Sequence, residues 1–301
     1  MAQAKLVWQS KTVLLLTLPY VAASVVLQTR WWTEQVTPVA IWTVSLSILL
    51  GLVAFKTGSA TLSAAGVGAL ITASLMYSTC TVPYLPWQTA LVPTLALLVL
   101  TSLATRVGRK RKETLGTVED RRGRGASQVA ANLGIAALSS DSLAQSWMLN
   151  QSWLPVANRM PTILLSVGLA ALAEAAADTV SSELGQVFGG RPRMITNLRS
   201  VEEGTDGALS VAGTLAGVVA AGIVAAAGTW ALRGGLPMGA VAWAGGVFGL
   251  LFDSLLGATL ERRGWLNNDA VNFLSTASAA VFALVLLALL QTQRTPHTLL
   301  F

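Results

Sequence analysis

Glu174, Asp178 and Glu183 interrupt the stretch AEAAADTVSSELG, which is otherwise apolar enough to lie in hydrocarbon. A charged side chain inside a membrane span costs at least ~2.5 kcal/mol, so such groups face a polar cavity or a partner. Glu174 and Asp178 are one helical turn apart and share a face. Downstream, Gly245, Gly249, Asp253, Gly257 and Glu261 recur every four residues. Small residues on such a stripe let another backbone approach closely, and Gly213 and Gly217 make a similar step. The glycines read as packing. Asp253 within the stripe would instead place an oxygen ligand in a tight cleft between helices.

Arginines and a glycine-rich turn lie between these acids. FGGRPRMITNLRS carries Arg191, Arg193 and Arg199 beside Gly189 and Gly190, and the guanidinium fork suits phosphate. The block Glu203-Gly204-Thr205-Asp206-Gly207 then runs toward a helix N-terminus, where backbone N–H groups favour anions. No GxxxxGK[ST] phosphate loop occurs. Two amide pairs stand at helix starts, Gln128 with Asn132 and Asn268 with Asn272. Such amides either cap and link helices or orient a nucleotide or metal-bound water. Magnesium takes one or two carboxylates plus substrate phosphates and water. The local pattern is therefore that of a metal–phosphate site at a membrane surface, with the reaction left open. Its single histidine, His297, excludes His-rich zinc sites and Ser-His-Asp triads, and the lone Cys80 excludes an internal disulfide.

The elements that carry these residues are membrane helices. The chain is 53% hydrophobic and 11% charged, against about 25% charged in a soluble domain. Long apolar stretches mean helices, because a helix satisfies its own backbone in lipid. Apolar runs predict an all-α polytopic membrane protein with about nine transmembrane helices, at 12–28, 36–55, 60–80, 88–105, 127–149, 160–182, 208–231, 237–260 and 270–291. Asp141 interrupts the fifth, which could be broken or re-entrant. The flank LQTRWWTEQ lacks a small-residue cleavage pattern, so the first stretch reads as a retained span. With a cytoplasmic N-terminus, 16 of the 20 Lys and Arg fall on the inner side. Tryptophans cluster at predicted span ends, the headgroup level that amphipathic rings prefer. The expected organisation is one membrane domain: a four-helix scaffold (1–105), a cytoplasmic basic loop (106–125) and a motif-bearing core (126–291). The net charge of +6 needs no nucleic acid; the basic loop reads as a topology signal, attraction to anionic lipid, or a means of gathering phosphate-bearing substrates.

The blocks GRGASQVAANLG, ADTVSSELG, RPRMIT, EEGTDGALSVAGTLAG, FDSLLGATLE and NNDAVNFLS resemble, in order over roughly 120–290, the integral membrane family that includes plant phytyl-phosphate kinase of the vitamin E pathway. LRSVEEGTDG is also similar to an acidic-helix block of dolichol and phytol kinases, which implies CTP as well as ATP as donor. The resemblance falls on Asp178, Glu183, Glu203, Gly204, Thr205, Asp253 and Asn272. Asp206-Gly207-Ala208 departs from the family's usual Asn-Gly-Gly and adds a negative charge.

The resemblance implies phosphoryl transfer from CTP or ATP to a prenyl monophosphate lipid at the cytoplasmic face of a bacterial-type plasma membrane. Asp178, Glu183 and Asp253 are the expected catalytic and Mg²⁺-binding residues. Arg191, Arg193, Arg199, the 203–207 block, Gln128, Asn132, Asn268 and Asn272 are the expected nucleotide and phosphate contacts. A transporter or lipid flippase, and a cytidylyltransferase forming a CDP-lipid, are the rival expectations.

Overall fold

The computed structural model describes residues 6–109, 111–112, 123–154 and 161–292. Most of the 106–125 basic loop thus lies outside the described residues, as do Lys5, Arg159, Arg294 and His297. The described residues are nearly all helical: α1 (Val7–Gln35), α2 (Thr37–Lys56), α3 (Leu62–Ser78), α4 (Leu91–Arg106), α5 (Ala126–Ser140), α6 (Ser142–Leu149), α7 (Leu165–Phe188), α8 (Val211–Ala231), α9 (Leu236–Leu256) and α10 (Asn268–Thr292). The strands β1 (Arg193–Met194) and β2 (Ala208–Leu209) pair antiparallel in a short ribbon between α7 and α8. The protein is an all-α polytopic membrane protein.

Among the described residues, six helical segments are long and apolar enough to cross a bilayer, not nine: Val7–Gln35, Thr37–Lys56, Thr162–Phe188, Val211–Ala231, Leu236–Glu261 and Asn268–Leu290. The α3 and α4 helices are shorter, at 17 and 16 residues. The fifth expected span breaks at Asp141, whose backbone is extended and whose carboxylate caps α6 by accepting from the Leu143 N–H. Tyr20 and Ser24 of α1 also donate to it, at 2.6 and 2.7 Å, so the break is held by the neighbouring helix. Helix α1 runs well past the expected 12–28, because a helix continues into polar flanks that hydropathy does not register. Likewise α7 continues to Phe188, so Asp178 and Glu183 lie within the helix rather than at its end.

The centre of the bundle is α7, 89% of whose apolar window is buried. Its Ala170, Ala171, Ala173, Ala175, Ala176 and Ala177 are almost fully enclosed. Small side chains let α4, α5, α8, α9 and α10 all pack against it. The glycine stripes serve the same purpose. A Cβ at Gly217 would stand 2.8 Å from the Ala177 carbonyl, and one at Gly245 2.8 Å from Ala170 Cβ and 2.9 Å from the Ala279 carbonyl. The N-terminal helices are woven into this packing, α1 against α5 and α10, α4 against α7 and α8. Leu15, Leu16, Ile41, Ile48, Val219 and Val285 remain on the outer surface, where lipid covers them.

Candidate functional site

The carboxylates meet where α7, α9 and α10 cross. Glu174 is 1% exposed. Gly249 leaves the space it occupies, since a Cβ there would come within 2.4 Å of Glu174 Cγ. One turn further along each helix, Asp178 and Asp253 lie within hydrogen-bonding reach of each other. The Ser275 hydroxyl of α10 faces both Glu174 and Asp253, yet donates to the Asn272 carbonyl at 3.0 Å. Both Glu174 oxygens and Asp253 Oδ1 are consequently buried with no hydrogen-bond partner in the structure. Such groups are costly unless a proton or a cation completes them. Arg124, just before α5, approaches from the other side. It faces Asp178, and its Nη2 donates to Thr179 Oγ1 at 3.4 Å.

This cluster opens toward the end of the bundle that carries the glycine-rich turn. Past Leu256 the helix widens into a π turn, Gly257–Glu261, a distortion frequent at functional sites. Residues 203–207 dock on that turn. Gly207, at φ +73°, comes so close that a Cβ would sit 2.2 Å from the Ala258 nitrogen, so no larger residue fits. Thr205 Oγ1 donates to the Glu202 carbonyl at 2.8 Å and closes the turn. Asp206 thereby comes near Glu261 and Arg262. Partial desolvation raises the Asp206 carboxyl above the usual range, against the opposing pull of Arg262. Glu261 in turn faces Asp178 and Asp253. Carboxylates therefore run from the loop surface at Asp206, through Glu261, to Asp253, Asp178 and Glu174.

Other expected site residues lie elsewhere. Glu183 is not brought to Asp178 and Asp253. It forms a buried ion pair with Lys112 and accepts from Thr105 Oγ1 at 3.0 Å. It stands five positions after Asp178 on a helix that does not stop, so it points to α4 instead. Glu203 pairs with Arg111 at 2.7 Å. Arg191, Arg193 and Arg199 are exposed on the ribbon, and Arg193 Nη1 donates to the Leu198 carbonyl at 3.4 Å. Gln128 Oε1 accepts from the Gly125 N–H and Asn132 Nδ2 donates to the Gln128 carbonyl, so this amide pair holds the start of α5. Asn272 is buried beside Ser275, whereas Asn268 is exposed on an open cleft that also includes Ser10, Asp206, Glu261 and Asp269. The α10 N-cap is Asn267, which accepts from the Ala270 N–H and ties α10 to Leu6 and Ser10 of the α1 start.

Arg124, Glu261 and Ser275 join the site beyond the residues expected from sequence. Arg124 is one of eight basic residues in 106–125, distinguished only by its position before α5. Glu261 closes the four-residue stripe that begins at Gly245, and Ser275 follows Asn272 on the same helix; neither type stands out in sequence.

Among the described residues, no three His, Cys, Asp or Glu side chains form a metal-ligand arrangement. The orphaned oxygens of Asp253 and Glu174 beside Asp178 do suit a divalent cation held by two carboxylates and completed by phosphate and water.

No solved structure matches the chain. An uncharacterized membrane protein of Methanocaldococcus jannaschii is 42% identical over 118 residues, 39% of this chain and 49% of that protein. One from Synechocystis is 34% identical over 212 residues, 66% and 74% of the two chains. The protein VTE6, chloroplastic, of Arabidopsis thaliana is 29% identical over 195 residues, 64% and 56%. The matched region thus spans about half the length of the archaeal and plant relatives. Residues 45–280 match the family described as "Integral membrane protein DUF92", most of the chain, and the protein belongs to that family.

Proposed function

We propose that the protein transfers the γ-phosphoryl group of CTP or ATP to a prenyl monophosphate, giving the lipid diphosphate. The observation that carries this reading is Asp178 set between Arg124 and Asp253, near a glycine-rich turn docked on the end of α9. The similarity to VTE6, read through the phytyl-phosphate kinase resemblance, supplies the lipid class. In the reaction an oxygen of the acceptor phosphate bonds to the γ-phosphorus, and the bond from that phosphorus to the β-phosphate oxygen breaks. The second pKa of the acceptor phosphate is near ~6, so at neutral pH its oxygen attacks without a general base. That suits a site whose described residues include no histidine.

Asp178 and Asp253 would hold Mg²⁺, which supplies charge neutralisation across the donor phosphates. Arg124 holds the acceptor phosphate against Asp178. The 203–207 turn, docked on the π turn, positions the donor, with Arg262 offsetting Asp206. Glu183 fixes Lys112 and the end of α4, outside the reacting groups. The active site faces the cytoplasm under the charge asymmetry of the chain.

Glu174 favours a second reading. A carboxylate near the middle of a span with both oxygens unpaired also suits ion-coupled transport. Purified protein in detergent with a C20 prenyl monophosphate, Mg²⁺ and γ-labelled CTP or ATP separates the readings. Label in a lipid diphosphate supports the kinase, and labelled pyrophosphate identifies a cytidylyltransferase. No turnover, together with solute uptake into liposomes, overturns both in favour of transport.

A further inference from the structure

Where α7, α9 and α10 cross, three buried oxygens have no hydrogen-bond donor: Oε1 and Oε2 of Glu174, and Oδ1 of Asp253. We infer that these oxygens, with the Ser275 hydroxyl, bind a dehydrated Na⁺ ion that ties the three helices together. The site stands apart from the Mg²⁺ of the proposed reaction, and the inference does not depend on phosphoryl transfer.

Ser275 completes the set through its lone pairs. Its hydroxyl lies within reach of Glu174 and Asp253, but its proton goes to the Asn272 carbonyl at 3.0 Å. Toward the two acids it therefore presents an acceptor. Oxygens from one residue on each of three helices thus converge without a donor among them. Protons complete such a set poorly. One proton shared between Glu174 and Asp253 satisfies two oxygens and leaves the other Glu174 oxygen buried and unpaired. A cation is answered by every oxygen at once, and its charge offsets carboxylates that have lost their water.

Burial selects the ion. Glu174 is 1% exposed and Ser275 0%, so an ion held here keeps no hydration shell. The walls are close as well. A Cβ at Gly246 would stand 3.1 Å from the Glu174 nitrogen, and one at Gly249 would stand 3.0 Å from the Ser275 carbonyl oxygen. Mg²⁺ gives up water reluctantly and demands octahedral order, and Ca²⁺ takes about six to eight oxygens. A few oxygens in a dry space between helices suit a small monovalent ion instead, and K⁺ is larger than Na⁺. Of the Asp253 oxygens only Oδ1 is orphaned, so the other remains for Asp178 and the proposed Mg²⁺. Glu174 lies one helical turn before Asp178, nearer the middle of the span, where a carboxylate marks an ion site by default. The bound ion holds α9 against α7 and α10 and fixes Asp253 beside Asp178.

The test uses the full chain in detergent, without Mg²⁺ or nucleotide, with choline replacing Na⁺ at constant ionic strength. Binding of radioactive Na⁺ and the thermal unfolding midpoint are measured together. Wild type is expected to bind one Na⁺ per chain, with a midpoint that rises as Na⁺ saturates and does not rise with K⁺. Glu174→Gln removes the charge and supplies an N–H donor. It is expected to lose Na⁺ binding and to unfold at a midpoint that Na⁺ does not move. Ser275→Ala keeps both acids and is expected to weaken Na⁺ at least tenfold. Wild-type Na⁺ affinity in either variant overturns the site, and Ser275→Ala decides it alone if Glu174→Gln fails to fold. A wild-type midpoint that follows pH and not Na⁺ assigns the orphaned oxygens to protons and also overturns it. Displacement of Na⁺ by equimolar Mg²⁺ merges the site with that of the proposed reaction and overturns the Na⁺ assignment. Na⁺ binding in a chain that transfers no phosphoryl group sinks the kinase reading and keeps this one; phosphoryl transfer in a chain that binds no Na⁺ does the reverse.

Discussion

Replacing Gly249 with alanine adds one methyl group where three neighbours already touch. The new Cβ would lie 2.4 Å from Glu174 Cγ, 2.8 Å from Ala279 Cβ and 3.0 Å from the Ser275 carbonyl oxygen. Carbon contacts are optimal at ~3.5–4.0 Å, so a displacement on the order of 1 Å is required. Glu174 is enclosed and Ser275 contributes backbone, so α9 itself has to move off α7 and α10. Overpacking of this kind costs about 1–3 kcal/mol, offset by up to ~1 kcal/mol because alanine favours helix over glycine. Net destabilisation is then about 0–2 kcal/mol. The control is Gly222→Ala, whose Cβ meets only the Trp243 ring at 3.6 Å and keeps the helix gain without the clash. Activity suffers more than stability. Asp253 lies one turn beyond Gly249, and a misplacement of ~1 Å in a reacting geometry costs on the order of 10²-fold in rate. Thermal unfolding in detergent and phosphoryl transfer are measured on both variants. Gly249→Ala matching Gly222→Ala in midpoint and keeping full turnover would refute the three-helix packing argument.

Asp253→Asn removes a proposed metal ligand and one of the crowded acids. Turnover is expected below detection with an unfolding midpoint at or above wild type, and retained activity would take Asp253 out of the site. Lys112→Ala leaves the buried Glu183 unpaired, which costs about 3–5 kcal/mol. Adding Glu183→Gln should recover most of that loss in a denaturant titration, because the stranded charge is then gone. Asp206 has a raised folded-state pKa, so the folded chain holds its proton more tightly than the unfolded one. Its contribution to stability is full below the ordinary carboxylate range and falls as pH rises through the raised value. Hydrogen exchange of residues 202–208 should therefore quicken over that window, beyond its intrinsic pH dependence, in wild type and not in Asp206→Asn.

The membrane class and the succession of helices were legible in composition and hydropathy, since lipid demands apolar residues in runs long enough to cross it. Lengths were less legible. Hydropathy marks where a helix contacts hydrocarbon, whereas α1 continues into a polar, largely exposed flank and α7 into one that its neighbours partly cover. The break at Asp141 was visible as an interruption, but its cause is the hydroxyls of Tyr20 and Ser24 on another helix.

Within the site, sequence spacing alone determined that Glu174 shares a helix face with Asp178, and that Asp253 lies on the glycine stripe with Gly249. A helix repeats every ~3.6 residues whatever surrounds it. Tertiary structure decided which faces meet. It set Asp253 against Asp178, turned Glu183 to Lys112, and brought Arg124 to Asp178. Those choices follow from side-chain volume. The alanines of α7 and the glycines of α8 and α9 admit close neighbours at particular rotations, and each polar group then pairs with whatever that rotation brings near.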